Sequence, residues 1–261
     1  MGYNNIILEK EGRVAKITLN RPSAMNSLNL DTLNEMADAL IDIEGDAETR
    51  VVILTGNGRA FCAGADLAFI KTVIKNPIKM DEFLHRWKRV FSMIEDMPLP
   101  VIGAINGFAL AGGLELAMVC DILIASEEAR IGDQHANYGL IPGGGGTQRL
   151  PRKIPFNKAK ELVLTGAWLS PQEAEKLGLV NRVVPPDKLQ DEAMGMAKQL
   201  AEKSPVASKT IKWLMNKGIQ LDLDSALELE IGAALTHFHT EDVKEGLRAF
   251  LEKRKPEFKG K

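Results

Sequence analysis

Apolar and polar positions alternate in two runs at the start of the chain, Asn5 to Leu8 and Arg13 to Asn20, with the turn-forming Glu11-Gly12 between them. This period of two predicts a β-hairpin. From Leu30 to Glu44 the spacing becomes helical: Leu33, Met36, Ala37, Leu40 and Ile43 share a face, and Asn29 or Asp31 is placed to cap it. Arg50 to Thr55 is a continuous apolar run of strand length, closed by Gly56-Asn57-Gly58. The cycle repeats, predicting a helix over Met80 to Met97, a buried strand over Pro100 to Ile105, a helix over Ala111 to Cys120 and a strand over Asp121 to Ala125. Such alternation predicts an α/β fold whose parallel sheet is covered on both faces. Beyond about Gly143 the periodicity predicts helices only, near 157–166, 171–177, 187–203, 205–217, 222–236 and 241–254. No linker or internal repeat interrupts the chain, so one domain is expected, with a core over 1–190 and a helical region over 191–261.

Composition narrows the function classes. The 261 residues are 45% hydrophobic, enough for one substantial core. Lys and Arg number 33 against 35 Asp and Glu, a net charge of -2. That balance sets up no field to draw nucleic acid or an anionic membrane, so neither is an expected partner. The most apolar stretch, Pro100 to Leu114, is broken by Asn106 and by glycines and is too short to cross a bilayer. The first residues, MGYNNIILEKEGR, lack the pattern of a secretory or organelle-targeting segment. Cys62 and Cys120 do not suggest a secreted disulfide framework. A cytoplasmic location is expected.

Two segments carry glycines where strands hand over to helices. One is Arg59-Ala60-Phe61-Cys62-Ala63-Gly64-Ala65-Asp66; the other runs from Asn106-Gly107 through Ala111-Gly112-Gly113-Leu114-Glu115. A helix start leaves its first amides unpaired and partly positive, and glycine admits a ligand close to them. Two such ends on adjacent parallel strands could aim two N–H groups at one oxygen, as stabilising an enolate or oxyanion requires. Tight turns and close helix–sheet packing would use the same glycines. No G-x-G-x-x-G occurs, and Gly143 to Gly146 is followed by Thr147-Gln148-Arg149 rather than by a phosphate-loop lysine.

Taken in order, these segments resemble the crotonase (enoyl-CoA hydratase/isomerase) superfamily. The resemblance spans the chain: Asn20-Arg21-Pro22 with Met25-Asn26-Ser27-Leu28, the segments around Gly64 and Gly112, Cys120-Asp121, and Gly139-Leu140-Ile141-Pro142-Gly143 with Gly146-Thr147-Gln148-Arg149-Leu150. It continues through Ala174 to Val180 and ends in Glu245-Gly246 with Ala249 to Pro256. It implies a spiral of ββα units with a C-terminal helical region that completes the CoA site and the trimer interface, in a homotrimer or a hexamer of two trimers. It implies an acyl-CoA thioester as substrate, and no cofactor or metal beyond the substrate's own CoA. The amides of Ala65 and Gly112 would form the oxyanion hole. Arg21 and the stretch Ala63, Ala65, Asp66 and Leu67 would lie along CoA, and Phe250 and Lys253 match positions that reach CoA from a neighbouring subunit.

Glu115 follows Gly112 by three residues, so on a helix the two share a face. In hydratases this position matches a catalytic glutamate that handles the attacking water; an acid favoured by the helix dipole would look the same in sequence. The family's second glutamate lies four residues before the glycine of the G-x-x-P-G segment, and here that position is His135. Imidazole can serve as acid or base near neutral pH, or it can shape the acyl pocket. Asp133 is an alternative second carboxylate and Tyr138 a further donor. Hydration of a trans-2-enoyl-CoA is the leading expectation, with isomerisation, decarboxylation or C–C hydrolysis as alternatives and an RNA-binding relative as the non-enzymatic one. Cys62 reads as packing, His85 as part of a solvated helix face, and the His237/His239 pair lacks acidic or cysteine partners for a metal.

Overall fold

The computed structural model describes residues 2–261. Along the chain come β1 (Ile6–Glu11), β2 (Val14–Leu19), α1 (Leu30–Glu44), β3 (Val51–Gly56), β4 (Ala60–Cys62), α2 (Leu67–Val73) and α3 (Pro77–Glu95). They are followed by β5 (Val101–Ile105), β6 (Phe108–Leu110), α4 (Gly112–Met118), β7 (Ile122–Ser126), β8 (Arg130–Gly132), α5 (Gly146–Lys153) and α6 (Phe156–Thr165). The remainder is β9 (Trp168–Leu169), α7 (Pro171–Lys176), β10 (Arg182–Val184), α8 (Leu189–Ala201), α9 (Pro205–Gly218), α10 (Leu223–His237) and α11 (Glu241–Leu251).

The strands form a six-stranded sheet, β1-β2-β3-β5-β7-β10, and a four-stranded sheet, β4-β6-β8-β9. The hairpin β1–β2 is antiparallel and the rest of the larger sheet is parallel. Each of the pairs β3/β4, β5/β6 and β7/β8 sends its first strand to the large sheet and its second to the small one before a helix returns the chain. This is the spiral of ββα units that the resemblance implies.

Periodicity decides which faces are buried. In α1, Leu33, Met36, Leu40 and Ile43 face the core, and Asn29 rather than Asp31 is the cap, accepting from the Thr32 amide at 2.9 Å. In α3, Phe83, Trp87 and Phe91 recur every four residues and pack edge-to-face and tilted on one another, with ring centroids 5.5 and 5.2 Å apart. On the other face of the large sheet, Leu189, Ala193, Ala197 and Ala201 of α8 pack over Val51, Ile53, Ile102, Ala104 and Ile124. Small residues on this helix let it sit close to the strands. Lys212 of α9 is anchored beneath by Asp121, 2.7 Å away, and by the carbonyls of Ile94 and Leu99.

One expectation needs correction. The chain after Gly143 is not helical only: β9 adds to the small sheet and β10 pairs in parallel with β7 to form the edge of the large one. Strands of two and three residues are too short to show alternation in sequence. The helices α2 and α5 also go beyond the sequence reading; α2 buries only Val73 among its seven residues, so it has no apolar stripe to detect. Among the described residues, no helix is long and apolar enough to cross a membrane.

Candidate active site

The small sheet and the helix starts after it build the site. Gly113 packs α4 directly on β4: a β-carbon there would lie 1.8 Å from the Cys62 carbonyl oxygen, so only glycine permits this approach. The chain turns into α4 through Ala111, which holds φ +50° and ψ -117°. A non-glycine residue in that region stores roughly 1–3 kcal/mol of strain. The turn sets the Gly112 amide at the first position of the helix, beside Gly64: a β-carbon built on Gly64 would sit 2.9 Å from the Gly112 nitrogen. Ala65 follows Gly64 directly. Leu28 holds that loop from both sides, donating to Gly64 O at 2.7 Å and accepting from Asp66 N at 2.9 Å. Among the described residues, neither the Ala65 nor the Gly112 amide is taken up by a protein acceptor.

Glu115 lies one turn along α4 and is 1% exposed. Its Oε1 accepts from the Gly144 amide at 2.8 Å and the Gly146 amide at 2.7 Å. The glycine run, to which the sequence assigned no contact with Glu115, thus holds the carboxylate. Two backbone donors fix one oxygen and leave Oε2 as the free one. Trp87 closes this side; its indole N–H is buried without a partner, near Oε2 and over Gly144.

After β8 the chain places Asp133, fully buried, and a 3₁₀ turn that begins at His135. The imidazole Nδ1 is 2.8 Å from Asp133 Oδ1, and the His135 side chain is 12% exposed. His135 and Glu115 are close enough to shift each other's ionisation. Burial raises the Glu115 pKa above the ordinary 4.5, against the amides of Gly146 and Gly144 and the charge of His135, with Asp133 adding to the rise. Burial alone would lower the His135 pKa, but the hydrogen bond and charge of Asp133 and the charge of Glu115 outweigh it and raise the imidazole above 6.5.

The Arg21 guanidinium donates to Asp66 Oδ2 at 2.7 Å and to Ser27 O at 2.6 Å. Asp66 also caps α2, its Oδ1 accepting from Ala68 and Phe69 amides. Asn26 staples the same loop down, donating to the carbonyls of Asn57 and Ala60. Ala63 donates to Met25 O at 3.0 Å, and Leu67 is exposed at the edge of the loop. Phe250 and Lys253 are not brought to this loop by their own chain. Phe250 is 82% exposed near the end of α11, and among the described residues no hydrogen bond links either residue to the segment from Arg21 to Leu67. Tyr138 is exposed. The Cys62 thiol is pushed up to about 12 by burial, which removes it as a nucleophile. Among the described residues no cluster of His, Cys, Asp and Glu is grouped to hold a metal ion.

A family profile described as enoyl-CoA hydratase/isomerase matches residues 9–261. The chain is 47% identical to a short-chain-enoyl-CoA hydratase of Clostridium acetobutylicum, over 98% of both chains. It is 45% identical to a crotonyl-CoA hydratase of Syntrophomonas wolfei, over 99% of both. A solved enoyl-CoA hydratase from Bacillus anthracis superposes with a TM-score of 0.95 at 44% identity, covering 99% of this chain and 100% of that one.

Proposed function

From the premise that this chain belongs to the enoyl-CoA hydratase/isomerase family and is a hydratase, we propose that it adds water to a short trans-2-enoyl-CoA using Glu115 and His135 as the acid/base pair. The observation that carries this assignment is the geometry of Glu115: buried, fixed through Oε1 by two amides, and one turn from the unpaired Gly112 amide.

The Ala65 and Gly112 amides would receive the thioester oxygen. As the water oxygen bonds to the β-carbon, the π electrons of the double bond move through the α-carbon onto the thioester oxygen, and the two donors offset the enolate charge there. Glu115 takes the proton from the water. His135, held protonated by its acidic neighbours, returns a proton to the α-carbon, giving the 3-hydroxyacyl-CoA. Proton exchange between the two side chains resets the site. The elevated pKa values suit these roles, because a raised carboxylate is a stronger base and a raised imidazole keeps its proton near neutrality.

Arg21 and the loop Ala63 to Leu67 would line the CoA arm, with the backbone rather than the Asp66 carboxylate facing it, since that carboxylate is committed to Arg21 and the α2 cap. Phe250 and Lys253 would reach CoA from a neighbouring copy. The region from residue 191 supports that reading: α10 buries no side chain within its own chain, and Leu223, Leu227, Ile231 and Leu235 are all exposed on it. An apolar helix of this kind needs a cover, and a homotrimer or a doubled trimer supplies one. A cytoplasmic location and CoA as the only carrier group complete the proposal.

The test is a turnover screen of saturated, 2-enoyl, 3-enoyl and malonyl-type CoA thioesters with products weighed by mass spectrometry. A gain of one water on a four-carbon 2-enoyl-CoA is the expected result. Turnover confined to the 3-enoyl or malonyl-type thioesters would reassign Glu115 to another enolate reaction.

A further inference from the structure

We propose that Asp133 is a positioning residue that acts through His135, fixing its tautomer and holding its proton for the reaction. This rests on the reading of His135 as the α-carbon's proton donor.

Asp133 sits immediately after β8, with no solvent exposure. Its Oδ1 accepts from the His135 backbone amide at 3.2 Å and faces the imidazole Nδ1 at 2.8 Å. The turn alone does not call for a carboxylate, because an asparagine oxygen would accept the same amide. The second oxygen, Oδ2, is buried and has no hydrogen-bond partner. An unpaired buried carboxylate oxygen is costly, so its charge needs a compensating use. Imidazole is the neighbour that can supply one.

An ionised carboxylate only accepts hydrogen bonds, so Nδ1 must carry the hydrogen between the two residues. Nε2 is then the nitrogen left to exchange a proton with substrate. Glu115 lies near Asp133 at Gly146: a β-carbon on that glycine would lie 2.9 Å from Asp133 Oδ2 and 3.2 Å from Glu115 Oε1. Two carboxylates this near to one another repel when both are ionised, and a protonated His135 beside them relieves that repulsion. The charged groups acting on His135 are therefore Asp133 and Glu115. On α6, which packs against the turn, Lys158 and Glu161 pair with each other at 2.9 Å, and Lys160 lies over the Phe156 ring.

The sequence offers Asp133 as an alternative second carboxylate in its own right. The 2.8 Å contact to Nδ1 makes it a partner of the imidazole instead.

The experiment combines Asp133→Asn, His135→Gln and the double variant in the intact protein. Turnover of a four-carbon 2-enoyl-CoA is followed across pH, and the His135 ring is titrated by NMR, the four histidines being assigned by difference with His135→Gln. In the parent, His135 should titrate above 6.5, with a hydrogen on Nδ1; a value at or below that overturns the proposal without any variant having to fold. Asp133→Asn should lower the His135 midpoint, move the alkaline limb of the rate profile to lower pH by the same amount, and cut kcat by roughly 10- to 10³-fold with KM little changed. In the His135→Gln background it should have no further effect on kcat. An unchanged His135 titration in Asp133→Asn, or an additive loss in the double variant, overturns the proposal. If instead His135→Gln turns over like the parent while Asp133→Asn still shifts the ring's titration, it is the catalytic reading of His135 that falls, and the positioning role with it.

Discussion

The Trp87 indole lies edge-on against Gly112, so close that a β-carbon at Gly112 would sit 2.5 Å from Cζ2 and 2.7 Å from Cη2. The ring beside the Glu115 carboxylate thus also packs on the helix start that would bind the thioester oxygen. Gly112→Ala must therefore displace the ring, the turn at Ala111, or both. We expect a loss of about 1–3 kcal/mol in stability and ~10²–10³-fold in turnover. Thermal unfolding and kcat measured on one preparation check this, and a fully active, fully stable Gly112→Ala protein would refute the assignment.

Asp66 joins two functions, capping α2 and holding Arg21. Asp66→Ala should cost about 1–2 kcal/mol and raise KM for the thioester more than it lowers kcat, because the loop proposed to line CoA loses its anchor. Burial opposes ionisation of Asp66, but Arg21 and the α2 amides outweigh it and keep its pKa below the ordinary 3.8. A depressed folded-state value contributes stability above the unfolded pKa that disappears as pH falls through the folded one. Acid unfolding of Asp66→Asn should accordingly lack part of the parent's dependence below about pH 4; identical acid curves would count against the link.

Exposed apolar side chains on α10 predict assembly rather than monomer stability. Ile231→Glu replaces a residue that is 53% exposed in the single chain, so the monomer fold should be nearly unaffected, within about 0.5 kcal/mol. Light scattering should show a smaller species, and CoA affinity should drop alongside if Phe250 and Lys253 act across the interface. A variant of parental size with parental affinity would separate α10 from both roles.

A bell-shaped pH–rate profile is expected from the two raised pKa values. Glu115 must be ionised to take the water's proton, so activity falls as pH drops through its value, which lies above 4.5. His135 must be protonated to give a proton, so activity falls as pH rises through its value, above 6.5. The profile of kcat/KM for a four-carbon 2-enoyl-CoA reports both limbs. Loss of only the alkaline limb in His135→Gln would agree; a flat parental profile from about pH 5 to pH 9 would not.

How far the sequence reached depended on element length and on whether a contact was local. The α1 helix was legible from five apolar positions and the Asn29 cap, and β3 and β5 from unbroken apolar runs. Five strands of two or three residues, β4, β6, β8, β9 and β10, carry no readable period, although β4 and β6 lead into the helix starts on which the candidate site depends. The spacing of Gly112 and Glu115 is a local, helical relationship, so it could be read directly. The amides of Gly144 and Gly146 reach Glu115 from 29 and 31 residues away, and no local pattern announces that. Asp133 and His135 are two residues apart, yet their side chains meet only because the 3₁₀ turn after β8 folds the imidazole back onto the carboxylate.

Glu115→Gln tests the central claim most directly, because it keeps the shape of the side chain and removes its capacity to carry a proton. Hydration of a four-carbon 2-enoyl-CoA should fall by ~10²–10⁴-fold, with KM within a few-fold of the parent and the same hydroxyacyl product at the residual rate. Turnover of Glu115→Gln within a factor of a few of the parent would contradict the account and leave the buried carboxylate a structural one.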